Sequence, residues 1–246
     1  MRHIRSGVLT FAALLMAVVP LAAQTGYVAN STSGGFVSFI DGNTNSILTG
    51  PILDVLVGHQ PTYLVLSPDG TRLYVSNLTC NYPDTFQGCV SVIRTDALAT
   101  SPTVNIPVGD FPRGIAITPD GTRLYVSTPI STIVSVLDTS TNAVINTIPL
   151  GNFNTPTDSA LTPDAARLYL PNVQNTVSVI DTATNTLVAT IPNIGCPGSA
   201  HMIAIAEVPR VPKSKSDCKG GGYLEFGLPA GPFRNQGQCI QYVETH

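Results

Sequence analysis

Arg113, Asp158 and His201 are the side chains of this 246-residue chain best suited to holding a small polar ligand. A guanidinium presents a fixed fork of donors to a carboxylate or phosphate, a carboxylate accepts from hydroxyls, and an imidazole can do either. Each sits at the head of a similar apolar run: Pro112-Arg113-Gly114-Ile115, Pro156-Thr157-Asp158-Ser159 and Ala200-His201-Met202-Ile203, with Pro61-Thr62-Tyr63-Leu64 as a fourth. If the four runs converge, their first positions form a ring of Thr62, Arg113, Thr157 and His201, and their second positions a ring of Tyr63, Gly114, Asp158 and Met202. His59, Asp110 and Asn154 would stand in the adjoining loops. This polar, asymmetric ring predicts recognition of a small anionic or polyhydroxyl ligand. The competing reading is that Arg113 and Asp158 only pair with each other beside solvated loops.

Bond-making chemistry has less behind it. The chain contains no G-x-S-x-G elbow, P-loop, H-E-x-x-H or EF-hand loop. Asp41, Asp138 and Asp181 recur in D-x-x-T-N segments, where a carboxylate that caps the following turn explains them better than a metal does. Up to residue 208 the only Glu is Glu207, which leaves no convergent carboxylates for a metal-dependent hydrolase. No C-x2-C pair is present, and beyond residue 23 the histidines are His59, His201 and His246. Neither a metal nor a cofactor is expected.

Composition narrows the setting. With 43% hydrophobic residues against 11% charged, the chain is no disordered segment, and its 21 Gly and 20 Pro favour short strands between punctuated turns. A net charge of −3 offers no basic surface for nucleic acid. Arg2 and Arg5, the apolar stretch Val8–Val19 and the small residues Ala22-Ala23 predict an export leader over residues 1–23. Val8–Ala23 includes Pro20 and is shorter than the roughly 20 residues that span a bilayer, so no membrane span is expected once the leader is cleaved. The mature protein is therefore expected to be secreted, periplasmic or at the cell surface. In such an oxidising setting Cys80 pairs by proximity with Cys89 and Cys218 with Cys239, leaving Cys196 over. Every Lys lies beyond Pro209, which divides a body over 24–208 from a tail over 209–246.

A repeat must position the ring. SPDGTRLYVS at 67–76 returns as TPDGTRLYVS at 118–127 and TPDAARLYLP at 162–171. Downstream come VSVIRTDA at 90–97, VSVLDTSTN at 134–142 and VSVIDTATN at 177–185, with a partial copy, VSFIDGNTN, at 37–45. Each unit closes on a V-G-x-x-P-like break, at Val57–Pro61, Val108–Pro112 and Leu150–Pro156. A period near 44 residues holding four short strands predicts an all-β fold, a β-propeller of about four four-stranded blades. Pro and Gly set the turn in the first two copies, whereas Ala165 in place of Gly forces the third to be reshaped or strained. Tyr27, Tyr74, Tyr125 and Tyr169 read as packing residues.

S/T-P-D-G-T-R-L-Y-V-S, V-S-V-I-D-T-x-T-N and V-G-x-x-P, recurring in fixed order over residues 27–208, resemble the YVTN β-propeller repeat family of exported microbial proteins. The resemblance implies a toroid of four-stranded blades with a surface, adhesive or scaffold role and no uniform activity. The favoured reading is thus a non-enzymatic binding module at the cell exterior, its partner a small anionic or glycan ligand or a cell-envelope component. Related propellers include lactonases and lyases, which keeps an enzyme acting on a small polar substrate as the alternative. Relatives usually have seven blades, and this chain has material for about four. The tail resembles a C-terminal cassette of other exported bacterial proteins, D-C-K-x-G-G-aromatic followed by F-x-N-Q-G-x-C-[IV], here at Asp217–Tyr223 and Phe233–Ile240.

Four blades can close if the ends combine. The first unit begins at its Tyr27-Val28 strand and lacks an innermost one, while Ala200–Ala206 aligns with innermost strands and continues into no blade. Pairing the two gives a closed monomer without an exposed edge. The alternative is an open arc or one completed by a second copy.

Overall fold

Short alternating runs rich in Val, Ile, Leu and Tyr favour strands, and a computed structural model shows sixteen of them and no helix among the described residues. Those are residues 25–31, 34–48, 54–80, 87–97, 103–151, 154–192 and 203–205. The strands form four four-stranded antiparallel sheets, the blades of a propeller. Blade two contains β5 (His59–Leu66), β6 (Arg72–Thr79), β7 (Cys89–Arg94) and β8 (Val104–Pro107), in that order from the axis outward. Blade three runs β9 (Ile115–Ile117), β10 (Arg123–Thr128), β11 (Ile133–Asp138) and β12 (Ala143–Pro149); blade four runs β13 (Ala160–Leu161), β14 (Arg167–Asn172), β15 (Thr176–Asp181) and β16 (Thr186–Pro192).

Blade one is built differently. Its β1 (Thr25–Asn30) pairs with β2 (Phe36–Asp41), and two short pieces, β3 (Ser46–Ile47) and β4 (Val55–Leu56), share the other edge of β2. Among the described residues blade one has no innermost strand ahead of β1, as the sequence predicts of its own unit, and β1 lies against β5. Of the expected closing segment, residues 203–205 are described. They are not in a strand, and the Ile203 N–H donates to Asp158 Oδ2 at 3.1 Å. Blade four thus has the segment beside it, where a further innermost strand would stand, but among the described pairings β1 pairs with β2 alone.

Blades stack through faces that the repeat makes alike. Val37 and Phe39 of blade one meet Leu73, Val75 and Ile93 of blade two. Tyr74, Val90, Val92 and Ile106 of blade two meet Leu124, Val126 and Leu137 of blade three, and Tyr125, Val134, Val136 and Ile148 of blade three meet Leu168, Leu170 and Ile180 of blade four. Tyr74 and Tyr125 are fully buried, the packing role expected of them. The arginine of each T-R-L-Y copy adds a polar link: Arg72 Nη1 donates to Thr139 O of blade three, and Arg123 Nη1 to Thr182 O of blade four at 3.2 Å.

The turns behave as their residues dictate. Asp69 Oδ1 accepts from Ser67 Oγ and the Thr71 N–H, and Asp120 and Asp164 repeat the pattern. Gly70 and Gly121 take positive φ, and Ala165 is held at φ 56° in their place, which strains a residue with a Cβ. Asp41, Asp138 and Asp181 cap their turns by accepting backbone N–H bonds two and three residues ahead.

Candidate functional site

Every innermost strand starts at the same mouth of the propeller, and a repeated clamp fixes its first residues. The Ser76 hydroxyl reaches Arg113 O at 3.0 Å and Tyr63 O at 3.3 Å, and Ser127 Oγ reaches Gly114 O at 3.2 Å. The Arg113 N–H is held by Ser127 O, and the Thr157 N–H by Pro171 O, each at 2.9 Å. Thr62 Oγ1 donates to Pro112 O at 2.9 Å, which ties blade two to blade three. A Cβ on Gly114 would lie 2.4 Å from the Asp158 carbonyl carbon, so only glycine lets blades three and four approach this closely.

Arg113 and Asp158 are both at this mouth, but they do not pair. Arg113 is exposed, and among the described residues its guanidinium has no ion-pair partner. Asp158 is buried, its Oδ1 accepting the Ser159 N–H at 2.8 Å and its Oδ2 the Ile203 N–H. Tyr63 joins them. Burial raises its phenol pKa, the nearby Asp158 charge raises it further, and Arg113 opposes both. Three blades therefore contribute to one electrostatically connected patch. Tyr63 enters the sequence pattern only as a ring position, because an apolar-flanked tyrosine reads as packing.

The other nominated residues have different surroundings. Thr62 is occupied by its bonds to Pro112 and Ser76. His59 is half-buried at the start of β5, in register with Thr79. Asp110 is exposed, its N–H bonded to Ser131 Oγ. Cys80 and Cys89 stand at disulfide distance on the same mouth, with Cα atoms 5.5 Å apart. His201, Cys218 and Cys239 lie outside the described residues, as does Cys196.

One polar feature escaped sequence reasoning. In blades one, two and four an asparagine at or near the end of the strand before the V-S-V/F strand donates to its serine: Asn30 to Ser38, Asn77 to Ser91 and Asn172 to Ser178, at 2.9–3.0 Å. The spacing gives no signal, since the pairs lie 8, 14 and 6 residues apart, and such residues also read as loop formers. On the opposite face a cleft of about 310 Å³ runs between blades two and three, lined by Asp69, Arg72, Tyr74, Asp120 and Thr139. Its carboxylates are satisfied by their own turns and Arg72 by Thr139, so its polar groups serve the fold.

No family model matches the chain, and no curated protein does. Among solved structures it is similar to Kuenenia stuttgartiensis hydrazine synthase, at 28% identity and a TM-score of 0.56. The match covers 67% of this chain and 45% of that one, so the chain spans less than half of the structure it resembles. With the four sheets, this likeness establishes a propeller.

Proposed function

We propose that the chain is an exported, non-enzymatic binding propeller of the YVTN type, whose mouth takes a small anionic ligand carrying hydroxyls, such as an acidic sugar of a glycan or cell envelope. The observation that carries this reading is Arg113, an exposed guanidinium on a clamped backbone with no carboxylate of its own among the described residues. A charge-assisted fork suits a carboxylate or phosphate, and the Tyr63 hydroxyl, whose pKa the Arg113 charge lowers, suits a sugar oxygen. Placement outside the cell rests on the leader-like residues 1–23 and on the Cys80–Cys89 pair. The similarity to a hydrazine synthase concerns blades and carries no activity over.

Calorimetric titration of the mature protein with acidic and neutral glycan fragments tests the proposal. Acidic fragments should bind, and Arg113→Ala should weaken them by about 1.5–3 kcal/mol with the fold intact. Equal binding of neutral fragments would remove Arg113 from the site. Lactone hydrolysis abolished by Arg113→Ala would instead establish the enzyme alternative.

A further inference from the structure

The two end blades each carry one half of a seam whose internal copies are buried. At the three internal seams Val75, Val126 and Leu170 on the receiving faces are 0% exposed, and at the two seams of blade three Ile106 and Ile148 on the opposing faces are 5% and 1% exposed. Their counterparts at the ends differ. Val28, on the receiving face of blade one, is 40% exposed, and Ile191, on the opposing face of blade four, is 43% exposed. Tyr169 is half-buried where Tyr74 and Tyr125 are fully buried, although Val177 and Val179 beside it are buried. The arginine links show the same break. Arg72 and Arg123 each cross to the next blade, whereas Arg167 stays on its own, bonded to Asp181 Oδ2 at 2.5 Å and Ala166 O at 2.9 Å. The acceptor in the matching position on a blade one is the carbonyl of Gly42, which follows Asp41 as Thr139 and Thr182 follow Asp138 and Asp181.

We propose that this seam is completed between two copies of the chain, blade four of each receiving blade one of the other. Three examples within the molecule show what fits such a face: the opposing face of another blade of this repeat. A second copy supplies both missing halves at once. Such a head-to-tail contact closes into a pair when the array turns through half a circle. The Ile203–Ile205 segment, already beside blade four at Asp158, would then adjoin the inner side of β1 in the partner.

Sedimentation of the mature chain tests this. The wild type should run at twice the chain mass, and Val28→Lys and Ile191→Lys, both at exposed positions, should each run as monomers with an unchanged circular dichroism spectrum. Mixing Val28→Cys with Ile191→Cys should yield a covalent heterodimer by mass. A wild type that is monomeric at every concentration would overturn the proposal. So would a ladder of higher oligomers, or a double variant that bridges Val28→Cys to Ile191→Cys within one chain.

Discussion

Asn77 shows how a fold closes off a motif that the sequence displays. Asn77-Leu78-Thr79 matches a glycosylation sequon, as does Asn30-Ser31-Thr32. Yet Asn77 is fully buried, its amide donating to Val75 O and Ser91 Oγ. Peptide mass mapping after expression in a glycosylating host should therefore find Asn77 unmodified. Asn77→Ala should cost about 1–3 kcal/mol in a denaturant titration, because Val75 O and Ser91 Oγ each lose a buried donor, Ser91 keeping the Gly58 N–H. Asp158 has a similar history. Its type and spacing suggested a ligand group or a partner for Arg113, but both carboxylate oxygens are used by backbone N–H groups. The repeat made the strand-head positions of Thr62, Arg113 and Asp158 legible but not their partners, several of which come from other segments of the chain.

Strands and turns were read most directly, because their causes are local. P-D-G, D-x-x-T-N and V-G-x-x-P each act within a few residues, and the structure repeats them blade by blade. The glycines of the interlocking loops were harder, since the pressure on them comes from across the structure. A Cβ on Gly88 would lie 2.1 Å from the Pro112 ring, and one on Gly58 2.7 Å from the Asn77 side chain. Gly88→Ala should destabilise by about 1–3 kcal/mol, the cost of forcing packed groups apart, as read by thermal melting. The turns also predict an acid response. Hydrogen bonds from Ser67 and Thr71 hold Asp69 down to about 2, and those from Ser140 and Thr141 hold Asp138 down to about 2. A carboxyl whose pKa is lower folded than unfolded stabilises the fold above its unfolded value and loses that contribution as pH falls through the folded one. Melting temperature should accordingly drop between about pH 4 and pH 2, and Asp69→Asn with Asp138→Asn should flatten that part of the profile.

For the whole molecule the question is what holds residues 203–205 to the body. The repeat announces four units and a missing innermost strand, but repetition alone does not say where a segment that continues into no blade will lodge. The described answer is one charge-assisted bond, from the Ile203 N–H to Asp158 Oδ2. It sits at the strand head that also abuts Gly114 of blade three. Substituting Asp158 by Ala removes this acceptor and strands the Ser159 N–H as well, whereas substituting Ile203 by Pro removes only the donor. If the bond fastens the segment, the two changes must interact. Each alone should lower stability, and the double variant should lose less than their sum, by about 1.5–3 kcal/mol, the range for a hydrogen bond to a charged group. In a chain of this size each kcal/mol corresponds to roughly 2–4 °C in melting temperature, so the coupling is measurable by calorimetry. Strict additivity would mean that the segment is held elsewhere and that Asp158 acts only on its own strand.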